Sequence, residues 1–299
     1  MYSTLGYAEC MRNIYRLTAT ATGPQLPRTP QELRARYHDF VRKFCKQPII
    51  NTDLSLIIRD PSLTVAVLKR LSRSKLNDLD QESLVGEPWP AHQFAANADH
   101  VQAALELLRQ RDPLLFQLLR TAIHSIALSS STTNRLGQRA HGGSTNNLIG
   151  LIWLAVGVHT QMDDLLELLV HELTHTLVFL DELNHPYFNY TNLPHRDYWS
   201  LSAILGRNRP MDKAVHSVMV AAEIINARVV GVIKPAPGGP AVHPSTADMK
   251  VALKKSCAAI LNHPKFDLVC TERVRELVVR VLASARRGEE KDEYAGIYA

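Results

Sequence analysis

The chain has 299 residues, 45% of them hydrophobic, with 34 Lys and Arg against 29 Asp and Glu for a formal net charge of +5. That apolar content can fill the core of one large domain or two small ones. The basic residues are scattered and form no run interleaved with aromatics, which argues against nucleic acid, and the most apolar run outside the central helix, 148–158, is about half a membrane span, which argues against a membrane partner.

Cys10, Cys45, Cys257 and Cys270 show no CxxC spacing and read as reduced thiols. Glu9 and Arg12 fall where a signal peptide would need its apolar core, so a cytoplasmic protein is expected. Residues 2–17 read as a short helix, followed by a Thr/Pro/Gly loop to Pro30. Thr29-Pro30-Gln31-Glu32 opens a helix to about Lys46, with Pro in its first turn. Helices are also expected over 62–72 and over 97–120, the second broken at Asp112-Pro113. Residues 1–120 thus make an N-terminal helical region, and 121–299 a metal-binding catalytic region.

Residues 121–128 are alternating and β-branched and predict a strand. The stretch 129–147 is polar and rich in turn formers, and its His141-Gly142-Gly143-Ser144 segment can bring backbone close to a ligand. Residues 148–158 have the composition of a buried strand. The central helix spans 165–182, apolar nearly all round. A loop with several aromatics follows over 184–209, then a helix from Pro210, in its first turn, to about 230. A Pro/Gly linker covers 234–245, and helices at about 247–262 and 270–287 close the chain. The fold class is α+β, mainly helical, with a small antiparallel sheet beside the central helix.

That helix carries His171-Glu172-Leu173-Thr174-His175, an HExxH motif. At ~3.6 residues per turn, His171 and His175 project from one face and can hold one metal ion, with Glu172 at the edge of that face within reach of a metal-bound water. Burying these groups in an apolar helix is costly unless something partners them, and a metal does so. A catalytic site normally needs a third ligand. Asp181 has the metzincin spacing, but Val178 stands where that pattern needs a helix-breaking Gly. His185 and His195 lie in the following loop. His216 and Glu223 share the helix after Pro210, about 10 Å apart along its axis, so one ion cannot easily take both.

Tyr198-Trp199-Ser200, Arg209-Pro210-Met211 and Ala214-Val215-His216-Ser217-Val218, following HExxH at this distance, resemble the HExxH-type peptide-modification proteins. The resemblance covers about residues 120–230 and departs at Leu201, usually Pro, and Ser217, usually Gly. Members studied as enzymes are 2-oxoglutarate-dependent β-hydroxylases of peptide residues on a gluzincin-like helical scaffold, with iron replacing zinc. The resemblance implies His171, His175 and His216 as ligands of Fe(II). The substrate would be an amino acid or peptide, free or carrier- or leader-bound.

The distal carboxylate of 2-oxoglutarate needs a fixed cation, best an Arg fork. Arg209 is the first choice and Arg207 the second, with Ser200 or Tyr198 adding a hydroxyl donor. The alternative is a zinc metallopeptidase or hydrolase. There Glu172 is the general base, Glu223 or His216 the third ligand, and His195 or Tyr190 the oxyanion donor. A non-catalytic, metal-stabilised interaction protein is a third reading.

Overall fold

A computed structural model describes residues 1–46, 55–71, 85–133, 139–235 and 242–297, with side chains to Ser284. Helices α1 (Tyr2–Leu5) and α2 (Tyr7–Thr22) replace the single helix read over 2–17. Gly6, at φ 85°, breaks them apart in a conformation that other residues rarely adopt. Helix α3 (Pro30–Lys43) begins where expected, with the Thr29 hydroxyl accepting from the Glu32 amide. Helix α4 (Pro61–Leu71) follows, the last residue of its expected span lying outside the described residues, and then β1 (Val85–Pro88).

The helix read over 97–120 is two helices, α5 (Ala91–Arg111) and α6 (Pro113–Ala122). Asp112 ends the first and caps the second, accepting from the Leu115 amide. Residues 121 and 122 therefore finish α6, and the strand expected from 121 is β2 (Ser125–Ser131). The expected loop supplies β3 (Gly142–Ser144), while its residues 134–138 lie outside the described ones. The strand read over 148–158 narrows to β4 (Leu151–Leu154). Gly150, at φ 82°, interrupts that run, and a Cβ there would sit 2.7 Å from both the Ala122 carbonyl and the Tyr37 hydroxyl.

The central helix is α7 (Met162–Asn184). After it come β5 (Trp199–Leu201), β6 (Asn208–Pro210) and α8 (Met211–Val229), where Pro210 is the N-cap and not the first helical residue. Helices α9 (Thr246–Leu261), α10 (Phe266–Val269) and α11 (Glu272–Ile297) complete the order, and residues 236–241 of the expected linker lie outside the described ones.

The larger sheet has the order β1-β2-β4-β3. Both flanking pairs are antiparallel, as expected, but the central pair β2/β4 is parallel. The stretch of chain that connects β2 to β4 forms the edge strand β3, on the far side of β4, and this strand packs against α7. A Cβ on Gly142 would come within 3.1 Å of Glu172 Oε1, so only glycine backbone fits this close to the motif without a shift. Strands β5 and β6 form a separate antiparallel ribbon, with Ser200 paired to Arg209.

One apolar cluster runs from Ile14 on α2 through Leu118, Ile152, Leu169 and Met219 to Val281 on α11. Burial of each large aliphatic side chain in it stabilises the fold by about 1.5–3 kcal/mol. Helices α7 and α8 lie inside this cluster, so the polar groups they carry are held away from water by the packing itself. Among the described residues, no helix is long and apolar enough to cross a membrane.

Candidate metal centre

The two HExxH histidines stand one turn apart on α7, with their Nε2 atoms 3.1 Å apart. Two ligands of one ion, each at about 2.0–2.1 Å, have about this separation. Glu172 is 2% exposed, and its Oε1 lies 4.0 Å from His171 Nε2. Burial raises its carboxyl to about 8, with the Ser144 side chain pulling the other way.

The imidazoles are pushed the opposite way. Burial holds His171 and His175 well below the usual histidine range, reinforced by neighbouring histidines and, for His175, by Lys213 and Arg209. His216 falls to about 3, through burial and then the charges of Lys213 and Arg209. These rings are therefore neutral at physiological pH and carry the lone pairs a divalent cation needs. The chemistry of the donor set fits a first-row metal.

His216 reaches the cluster from α8, its Nδ1 2.9 Å from His175 Nδ1. It thus meets the opposite nitrogen of His175 from the one that meets His171. The ring centroids are 4.9 Å apart for His171 and His175 and 5.2 Å for His175 and His216, so the three rings stand in a row. Among the described residues, no three His, Cys, Asp or Glu side chains are placed so that they could hold an ion as they stand. Ligation by all three asks the His216 ring to turn about its side-chain bonds.

Of the other ligand candidates, Glu223 and Asp181 are engaged elsewhere. Glu223 accepts from the Met1 amino group and from the amide and hydroxyl of Ser3. Asp181 accepts two hydrogen bonds from Arg273 and one each from Tyr187 and Asn13, and α7 runs past it to Asn184. His185 caps the end of α7, and His195 is exposed before a turn. The Tyr190 hydroxyl donates to Glu182 at 2.6 Å.

The β5–β6 ribbon leads directly into α8. Arg209 is 8% exposed, and its cross-strand partner Ser200 is 4% exposed with no hydrogen bond at Oγ among the described residues. Residues directly opposite in an antiparallel pair project from the same face, so both side chains share one side of the ribbon. Arg207 is half-buried in the turn between the strands. Tyr198 is half-buried before β5, with Lys265 Nζ 5.0 Å from its ring centroid.

Three residues of the site escaped the sequence reading. His243, 6% exposed, places Nε2 2.9 Å from His171 Nδ1 and Nδ1 2.7 Å from Glu167 Oε1. Glu167 also accepts a two-pronged ion pair from Arg228 at 2.8 and 2.7 Å. Burial pushes the Glu167 carboxyl up, but the hydrogen bonds from His243 and Arg228 outweigh it and leave the group below its ordinary value. One signal for Glu167 was in the sequence, since it lies four residues before His171 on the same helical stripe and a buried carboxylate needs a partner. His243 gave none, standing alone in a segment of prolines and glycines. No protein-family model matches the chain, and no curated protein matches it.

Proposed function

We propose that the protein is an Fe(II)/2-oxoglutarate-dependent oxygenase that hydroxylates an unactivated carbon of an amino-acid or peptide substrate on a gluzincin-like scaffold. His171 and His175 hold the metal, and His216 turns in as the third ligand. The iron, when bound, supplies the oxidising chemistry. The protein supplies three neutral imidazoles in a largely buried setting and a cation for the cosubstrate.

The observation that carries this reading is the buried Arg209 facing the same side as Ser200 on the ribbon that leads into α8, with its charge felt at His175 and His216. A guanidinium whose charge reaches the imidazoles can take the distal carboxylate of 2-oxoglutarate with two parallel hydrogen bonds. The Ser200 hydroxyl supplies a third donor from the same face.

One observation favours a second reading, a zinc metallopeptidase or hydrolase. Glu172 is buried beside the metal-facing side of His171, next to the edge strand β3, where a general base and an extended substrate would lie. Metal analysis of anaerobically purified protein, with an assay for 2-oxoglutarate-dependent succinate formation, separates the two. Iron and succinate release support the oxygenase; zinc with indifference to the oxo-acid sinks it.

A further inference from the structure

We infer that His243 is a positioning residue for the metal site: with Glu167 and Arg228 behind it, it fixes the His171 ring so that Nε2 presents its lone pair to the ion. This inference rests on the metal reading above and adds a residue to it.

The argument follows the protons. Arg228 grips both oxygens of Glu167, and both side chains are almost fully buried, so the carboxylate has one orientation. Its Oε1 accepts from His243 Nδ1 at 2.7 Å. A neutral imidazole that donates from Nδ1 has a lone pair on Nε2. That lone pair faces His171 Nδ1 at 2.9 Å, so His171 carries its own proton there and leaves Nε2 bare on the side it shares with His175 Nε2. The opposite tautomer of His171 would place two lone pairs against each other at His243 and a hydrogen where the metal belongs. A carboxylate behind a ligating imidazole is a recurrent way to set ring orientation and ligand basicity. Here a second imidazole is interposed between them.

The same cluster ties down the chain that carries His243. Arg228 Nη1 donates to the Pro244 carbonyl at 2.8 Å, so the residue following His243 is anchored by the cation that orients Glu167. Glu167 lies one turn before His171 on α7, and Arg228 lies on α8 with His216. The relay therefore links the helix pair and the downstream loop at one end of the site.

The test titrates cobalt(II) into metal-free wild type, His243→Leu and His243→Gln in competition with a chelator, and records the absorption bands of the bound ion. His243→Leu is expected to bind cobalt 10–100-fold more weakly, with altered bands. His243→Gln, whose amide oxygen and nitrogen repeat the acceptor and donor of the ring, is expected to recover most of the affinity. Wild-type affinity and unchanged bands in His243→Leu overturn the inference and leave the metal reading standing.

Should His243→Leu fail to fold, proton–nitrogen-15 NMR of the zinc-loaded wild type decides. A slowly exchanging proton on His171 Nδ1 supports the relay, and rapid exchange there overturns it. Wild-type protein that takes up neither cobalt nor zinc removes the metal reading itself, and the relay with it.

Discussion

Two of the buried acidic groups on helix α7 are treated by the protein in opposite ways. Asp181, near its end, is fully partnered by Arg273, Tyr187 and Asn13. Burial alone would raise its carboxyl, but those donors bring it below its ordinary value. Glu172, two and a half turns earlier, is raised to about 8 and makes no hydrogen bond at Oε2 among the described residues. Two carboxyls in one apolar helix, pushed apart by their surroundings, mark a division of labour. Asp181 holds the N-terminal and C-terminal helices to α7, whereas Glu172 is left in a state that only a metal, a proton or a substrate completes.

The largest effect is expected where the partnered end is broken. Arg273→Ala leaves Asp181 buried without its cation and should cost about 3–5 kcal/mol of unfolding free energy. Chemical denaturation measures this, and cobalt affinity per folded molecule should stay at the wild-type value. A loss of metal affinity as large as the loss of stability would show that the two ends of α7 are not separate.

The next effect concerns pH in the metal-free protein. Between about 4.5 and about 8 the folded chain keeps a proton on Glu172 that the unfolded chain has shed, so stability falls as pH rises through this window. By neutral pH the cost is about 2–4 kcal/mol. Glu172→Gln should remove this alkaline limb. The histidines act on the other side: with His216 lowered from 6.5 to about 3, the folded chain refuses a proton that the unfolded one accepts, and stability falls as pH drops below about 6.5. Denaturation across pH should show the variant flattening the alkaline limb and leaving the acid limb in place.

How far the sequence foretold this contrast depends on the distance each signal spans. The HExxH helix and its burial follow from local periodicity, and so does the placement of the two histidines on one face. So do the Asp112 and Thr29 caps, whose partners lie within three residues. What could not be read is set by contacts across the fold. Asp181 partners Asn13 and Arg273, and His171 meets His243, through packing that no spacing rule reports. Gly6 and Gly150 each broke an element whose composition looked continuous, because a positive φ is a property of the turn and not of the hydrophobic pattern.

Arg209 tests the incomplete end by function. In the proposed oxygenase, Arg209→Ala should weaken 2-oxoglutarate binding at least tenfold, about 1.4 kcal/mol or more, and Arg209→Lys should restore only part of it because a point charge does not replace the fork. Titration of the oxo-acid into the iron-loaded protein under nitrogen reads the effect.

Ser200→Ala is the smallest change and the cleanest probe of the contrast. Because Ser200 Oγ makes no hydrogen bond among the described residues, deleting it strips none of them of a bond and should leave unfolding free energy within about 0.5 kcal/mol of wild type. If the hydroxyl serves the carboxylate that Arg209 also holds, the same deletion should weaken 2-oxoglutarate binding several-fold, the net worth of about one ordinary hydrogen bond. Paired with Arg209→Ala, the double variant should lose less than the sum of the two single losses, since both side chains act on one ligand group from one face of the ribbon. Strict additivity would mean that the two residues serve different groups, and would leave Arg209 alone to explain the cosubstrate.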